Sequence, residues 1–222
     1  MRDPRCRLVV PAVFVLFVLL GNPAAADPPP GRVVSPSATD ELRRHFDQVI
    51  ALTQTRSFAA QDPERRREAV RRIAGPLFNW NEMSRRALGH YWGERTRAEQ
   101  RAFTEQFARI AERAYLAPVD EMPQVVATMR EPVRYLGESR DGKDVVVHTS
   151  VAYLRDLPVD FRMNRRASRW EIHDVVIDGV SAAENYGAQF RRLIAHGSFP
   201  ELLDRMETQS STRGDTGVVV PR

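Results

Sequence analysis

The chain has 222 residues, 33 lysines and arginines against 29 aspartates and glutamates, and a formal net charge of +4. That length suits one sizeable domain rather than two, and so small a positive excess argues against a nucleic-acid binder. Its single cysteine, Cys6, lies ahead of the first apolar run, so any fold formed after that point holds together without disulfides.

The first residues, Met1-Arg2-Asp3-Pro4-Arg5-Cys6-Arg7, are basic and are followed by the apolar run Leu8 to Leu20 and then Ala24-Ala25-Ala26. This order predicts a secretory signal peptide over 1–26 with cleavage before Asp27, and therefore an exported protein. The run is short of the ~20 residues a membrane-spanning helix needs. Residues 27–37 (DPPPGRVVSPS) read as an extended, Pro-rich leader. From Gln209 to Arg222 the chain is polar and reads as a flexible tail. The folded domain is expected over 38–208.

Leu42, Phe46, Val49, Ile50 and Thr53 fall at helical spacing. Asp62-Pro63 reads as an N-cap with a first-turn proline, opening a second helix. That helix carries the cluster Arg65, Arg66, Arg67, Arg71 and Arg72, a solvated face or a docking patch for anionic groups. Asn79 caps a short helix stopped by Gly89, and Thr96 to Glu99 is a capping box opening a long one. After residue 130 the period becomes two. Strands are expected over Pro132 to Glu138, Lys143 to Tyr153, Val159 to Asn164 and Trp170 to Ile177, with helices returning at Ser181 and Ser198. Helices, then an antiparallel meander, then helices make an α+β domain with a twisted sheet of about four strands wrapped by helices.

Gly179-Val180-Ser181-Ala182-Ala183 approaches the strand-turn-helix elbow of a nucleophilic serine. Position 183 is not glycine, the sheet reads antiparallel, and Ser181-Ala182-Ala183-Glu184 is a complete capping box, so Ser181 is expected to cap a helix. None of the five histidines has a metal-ligand spacing. His148 reads as a structural histidine. His173 and Asp174, being consecutive on a strand, are expected on opposite faces. The chain is therefore expected not to be an enzyme and to need no metal.

Apolar side chains are plentiful instead. Alternation places Val145, Val147 and Val151 on one face of the second strand, Val159, Phe161 and Met163 on one face of the third, and Val175 and Ile177 on one face of the fourth. With Tyr91, Trp92 and Tyr115 from the helical half as the other wall, these residues are the candidate lining of an apolar cavity between sheet and helices.

Three stretches resemble the MlaC family of periplasmic phospholipid-binding proteins, also called toluene-tolerance or ABC-transporter auxiliary proteins. Residues 78–115 contain Leu88-Gly89-His90-Tyr91-Trp92, Thr96, Gln100-Arg101, Phe107 and Tyr115 in the family order; LPVDFRMNRRASRW follows at 157–170; and Trp170, Asp174, Val175, Gly179-Val180-Ser181, Tyr186 and Gln189-Phe190 complete the match. The hopanoid-associated HpnM proteins look like a branch of the same family. The resemblance implies a carrier with phospholipid as cargo and no other cofactor, maintaining outer-membrane lipid asymmetry. It implies two partners: an inner-membrane ABC transporter with an MCE-domain protein, and an outer-membrane lipoprotein complex. Gly187 stands where the family often has a charged residue, a departure expected to touch only a surface contact. The rival readings are a hopanoid-related carrier, a cone-shaped α+β enzyme using Asp160, His173 or Tyr186, and an adaptor with a solid core.

Overall fold

The computed structural model describes residues 36–116, 119, 131–152 and 156–211; the expected signal peptide and nearly all of the leader fall outside them. Helices come first: α1 (Ala38–Thr53), the single turn α2 (Arg56–Ala59), α3 (Pro63–Ala74), α4 (Trp80–Leu88) and α5 (Arg97–Leu116). A sheet follows, with β1 (Val133–Asp141), β2 (Asp144–Val151), β3 (Leu157–Arg166), β4 (Arg169–Ile177) and the two-residue β5 (Val180–Ser181). The chain then returns to helix in α6 (Ala182–His196) and α7 (Phe199–Ser211). The strands lie in chain order and every pairing is antiparallel, so the sheet is a plain meander of five strands, one more than expected.

Polar caps fix where the helices begin. Ser37 and Asp40 exchange side-chain and backbone hydrogen bonds in a capping box at α1. Asp62 accepts from the Arg65 N–H, Asn79 from Glu82, and Thr96 from Glu99. Each satisfies an N–H that has no partner within its own helix. Helix α7 runs past Thr208, where the domain was expected to end, to Ser211. Its last turn docks on α5, with Arg113 donating to the Gln209 carbonyl and the Ser210 hydroxyl donating to Gln106.

Two bulges interrupt the alternation of the strands. Leu136 is the extra residue of β1 between Tyr135 and Gly137, and it is 65% exposed. In β4 the ladder steps from Arg162–Asp174 to Met163–Ile172, leaving His173 as the extra residue. A bulge adds one residue to one strand only, so it reverses the facing of everything beyond it.

The interior is three apolar clusters. One lies between the sheet and α1. A second joins α4, α5, α6 and α7 through Phe103, Phe107, Phe190, Leu202 and Met206. A third joins α1 and α3 to the end of α5 through Val49, Phe58, Val70, Leu116 and Val119. Between the sheet and α4 runs a polar layer: Arg86 reaches Asp144 on β2 at 3.1 Å, and Asn79 donates to Glu171 on β4 at 2.7 Å.

Candidate functional site

The sheet has an inner face that packs on α1 and an outer face where α4 and α6 pack against β4 and Arg86 of α4 reaches Asp144 on β2. On β2, Val145, Val147, Thr149 and Val151 point inward; their cross-strand neighbours on β3 are Met163, Phe161, Val159 and Leu157. On β4, Val175 lies opposite Phe161 and Ile172 opposite Met163, the bulge at His173 keeping both on the inner face. From α1, Ala38, Leu42 and Phe46 recur every four residues and so present one stripe to that face. The Phe46 and Phe161 rings meet edge to face at 5.4 Å. Leu77 and Phe78, after α3, close one end. Tyr135 and Trp170 border the seam, the first beneath the Arg43 guanidinium at 4.5 Å and the second donating its indole N–H to the Pro36 carbonyl.

The seam is apolar apart from two hydroxyls: Thr149 donates to the Val159 carbonyl at 2.6 Å, and the Tyr135 hydroxyl at the border is buried without a hydrogen-bond partner. Ala38, Leu42, Val147, Met163 and Ile172 are completely shielded from solvent. The seam is thus occupied by its own side chains, which touch one another in place of a ligand. Such a region has no group for general acid–base chemistry. It can hold apolar matter, and only by burial and dispersion.

Of the residues expected to line a cavity, Val145, Val147, Val151, Val159, Phe161 and Met163 meet in this one cluster, and Val175 packs half-buried against it. Ile177 does not: it lies beyond the end of the seam, 41% exposed, paired with the equally exposed Val180 across the last turn. Tyr91 and Trp92 are placed elsewhere too. Gly89, at φ 58°, ends α4 and turns residues 89–94 toward α5, where Gln100 donates to the Trp92 carbonyl, so both rings pack on the helical cluster. The side chain of Tyr115 lies outside the described residues. The sequence reading missed Ala38, Leu42, Phe46, Leu77 and Ile172 as part of the seam. The stripe on α1 was visible, but nothing in a periodicity names the surface it meets.

Other candidates resolve into structural roles. Ser181 accepts from the Glu184 N–H at 3.1 Å, as a cap should, and donates to Asp174 at 2.6 Å. Asp174 also accepts from the Ala183 and Val175 N–H groups. The partner of the serine is therefore Asp174. His173 and Asp174 are not on opposite faces; the bulge leaves both buried on the outer side, with different partners. The His173 Nε2 lies 3.1 Å from Asp144 without hydrogen-bond alignment, and burial, reinforced by Arg86, holds its pKa below the ordinary value. Tyr186 stacks between Phe107 and Phe190, and burial raises its pKa. In the arginine cluster of α3, Arg65 pairs with Asp62, Arg67 with Glu64, and Arg71 with Glu68 and, across to α5, Glu112. Gly187 is not a surface position: it is buried, and a Cβ there would stand 2.5 Å from the Ala87 carbonyl oxygen. Among the described residues no group of three acidic, histidine or cysteine side chains is placed to hold a metal ion, and no helix is long and apolar enough to cross a membrane.

No curated protein matches the chain. A phospholipid-binding protein from Ralstonia solanacearum, solved in complex with a phospholipid, shares the fold at a TM-score of 0.65 and 20% identity, over 80% of this chain and 100% of that one. The family model described as MlaC protein matches residues 43–208, a span that takes in most of α1, the whole sheet, α6 and most of α7, and the chain belongs to that family.

Proposed function

We propose that this protein is a periplasmic phospholipid carrier. Cleavage of residues 1–26 releases it, and it exchanges lipid with an inner-membrane ABC transporter bearing an MCE-domain protein and with an outer-membrane lipoprotein complex. The observation that carries the reading is the seam. A continuous apolar surface on three strands faces a single helix, in a fold that the Ralstonia solanacearum protein solved with a phospholipid also has.

The physical need is plain. Exposing acyl chains to water costs ~0.8 kcal/mol per methylene. A two-chain lipid with about thirty methylenes therefore faces a penalty on the order of 24 kcal/mol on leaving a membrane unaided. A carrier lowers that penalty by replacing water with apolar side chains. In this protein acyl chains would enter by parting α1 from β2 and β3, exchanging the contacts of Leu42, Phe46 and Phe161 for contacts with lipid.

The test is mass spectrometry of lipids extracted from protein purified from the periplasm. Phospholipid in molar proportion to protein is the expected result. An empty protein indicates an adaptor, and a polycyclic lipid indicates a hopanoid carrier; either outcome overturns the proposal.

A further inference from the structure

On the outer face of the sheet, away from the seam, three side chains on three successive strands form one hydrogen-bonded chain. The Ser139 hydroxyl on β1 lies 2.8 Å from Nε2 of His148 on β2, and Nδ1 of His148 lies 3.0 Å from the Asp160 carboxylate on β3. A carboxylate only accepts, so Nδ1 carries the ring proton and Nε2 is the acceptor that faces the serine. This is the order of nucleophile, base and orienting acid that activates a serine.

The register supplies the remaining parts. Ser139 and Arg162 both pair with Val146, from its two sides, so they share a row and a face. Arg162 reaches back over that row to β1, its Nη1 standing 3.3 Å from Asp141, two residues beyond Ser139. Its Nε is buried and without a hydrogen-bond partner, while the side chain as a whole is 38% exposed. In the neighbouring row Gly137 lies opposite His148, at φ 127°, with no atom within 4 Å of where a Cβ would stand. The approach to the imidazole from the sheet edge is thus clear of side chains. Ser139 is exposed, and the side chains of His148 and Asp160 are 37% and 33% exposed, so a solute can reach all three.

We propose that Ser139, His148 and Arg162, with Asp160 as the positioning residue, form an acyl-transfer site for carboxylic esters presented at the outer face of the sheet. Ser139 Oγ attacks the ester carbonyl carbon while His148 Nε2 takes the hydroxyl proton. The carbonyl oxygen becomes an oxyanion facing the Arg162 guanidinium. Collapse breaks the bond to the alcohol, which leaves with the proton from His148. Water, deprotonated by the same nitrogen, then releases the acid and restores the serine. The net reaction is ester and water to acid and alcohol.

The test uses the secreted protein, a fluorophosphonate probe located by peptide mass spectrometry, and p-nitrophenyl butyrate as the ester. Label on Ser139 and release of p-nitrophenolate are expected. Both are lost in Ser139→Ala, and labelling falls by about 100-fold or more in His148→Ala, the range a positioned base supplies. Asp160→Asn should lower the labelling rate and Asp160→Glu should restore it in part, because Asp160 orients the imidazole through its 3.0 Å contact with Nδ1; a merely structural role would leave the rate in place. These substitutions should leave the lipid load unchanged, since the site and the seam are on opposite faces. Wild-type protein without label at Ser139, wild-type protein without turnover of the ester, or label undiminished in His148→Ala overturns the proposal.

Discussion

Ser181 passes two hydrogen bonds through one hydroxyl, accepting from Glu184 and donating to Asp174, while Asp174 gathers three donors around one carboxylate. Removing the serine loses a cap, which costs about 1 kcal/mol. Removing the aspartate leaves the buried Ala183 N–H without a partner, and an orphaned buried group costs about 1–3 kcal/mol on top of the bonds lost. Asp174→Ala is therefore expected to destabilise the protein more than Ser181→Ala, as urea midpoints at constant slope would show. His173 gives a pH signature. Arg86, Glu82, Asp144 and Asp174 all face it, and burial with Arg86 outweighs the three acids, so the folded state holds it neutral. The unfolded chain takes up the proton first, near 6.5, and stability falls as the pH drops from there toward the lower folded value. His173→Gln should flatten stability between about pH 7 and 5 by at most ~1.4 kcal/mol per pH unit, the slope of one proton. Glu82 is distinguishable. Arg85, then Arg86, hold its pKa at about 2, so its contribution fades only below 4.5.

Elements were legible wherever one residue type does one job. The caps at Asp62, Asn79, Thr96 and Ser181 are short-range chemistry, and all four sit where sequence places them. The alternation of Val159, Phe161 and Met163 found the inner face because β2 and β3 pair without a bulge. The same reasoning failed on β4. A bulge depends on what pairs across the ladder, so His173 looked like an ordinary strand residue facing away from Asp174, and Ile172 was not singled out. Tyr91 and Trp92 failed for another reason: aromatic character predicts burial but not in which of three clusters. Gly187 illustrates close approach between elements. Helices α4 and α6 touch backbone to backbone there, with Arg191 donating to the Ala87 carbonyl at 3.2 Å. Gly187→Ala cannot fit without moving a helix, so despite the better helix propensity of alanine it should cost about 1–3 kcal/mol, measurable as a lowered thermal midpoint with unchanged helical content.

At the scale of the molecule, stability and cargo share one surface. The seam that holds α1 to the sheet is the region proposed to open for acyl chains, so a ligand binding only the folded state should raise the thermal midpoint. Loading with phospholipid from vesicles is expected to give a higher midpoint than the delipidated protein, by differential scanning fluorimetry. A reductant should change neither midpoint, since Cys6 is the chain's only cysteine. Val147, on the inner face of β2, is completely buried. An uncompensated charge there destabilises the fold itself, and Phe161→Ala, at a cost of about 3–5 kcal/mol, is the milder probe of the same wall.

The bulge in β4 also means that the chain is one residue longer than its ladder requires. Deleting His173 would let Met163 pair with Ile172 directly after Arg162 pairs with Asp174, a regular ladder with every other register kept. Deleting a residue of β4 away from the bulge instead shifts the stretch between the gap and His173 by one residue and turns its apolar set to the other face. A single-codon deletion scan of residues 169–177 should therefore show one tolerated gap in an otherwise lethal stretch, read as soluble yield. Insertions and deletions would be absorbed at His173, an unpaired position in the middle of a central strand, where loops are the usual site of length change.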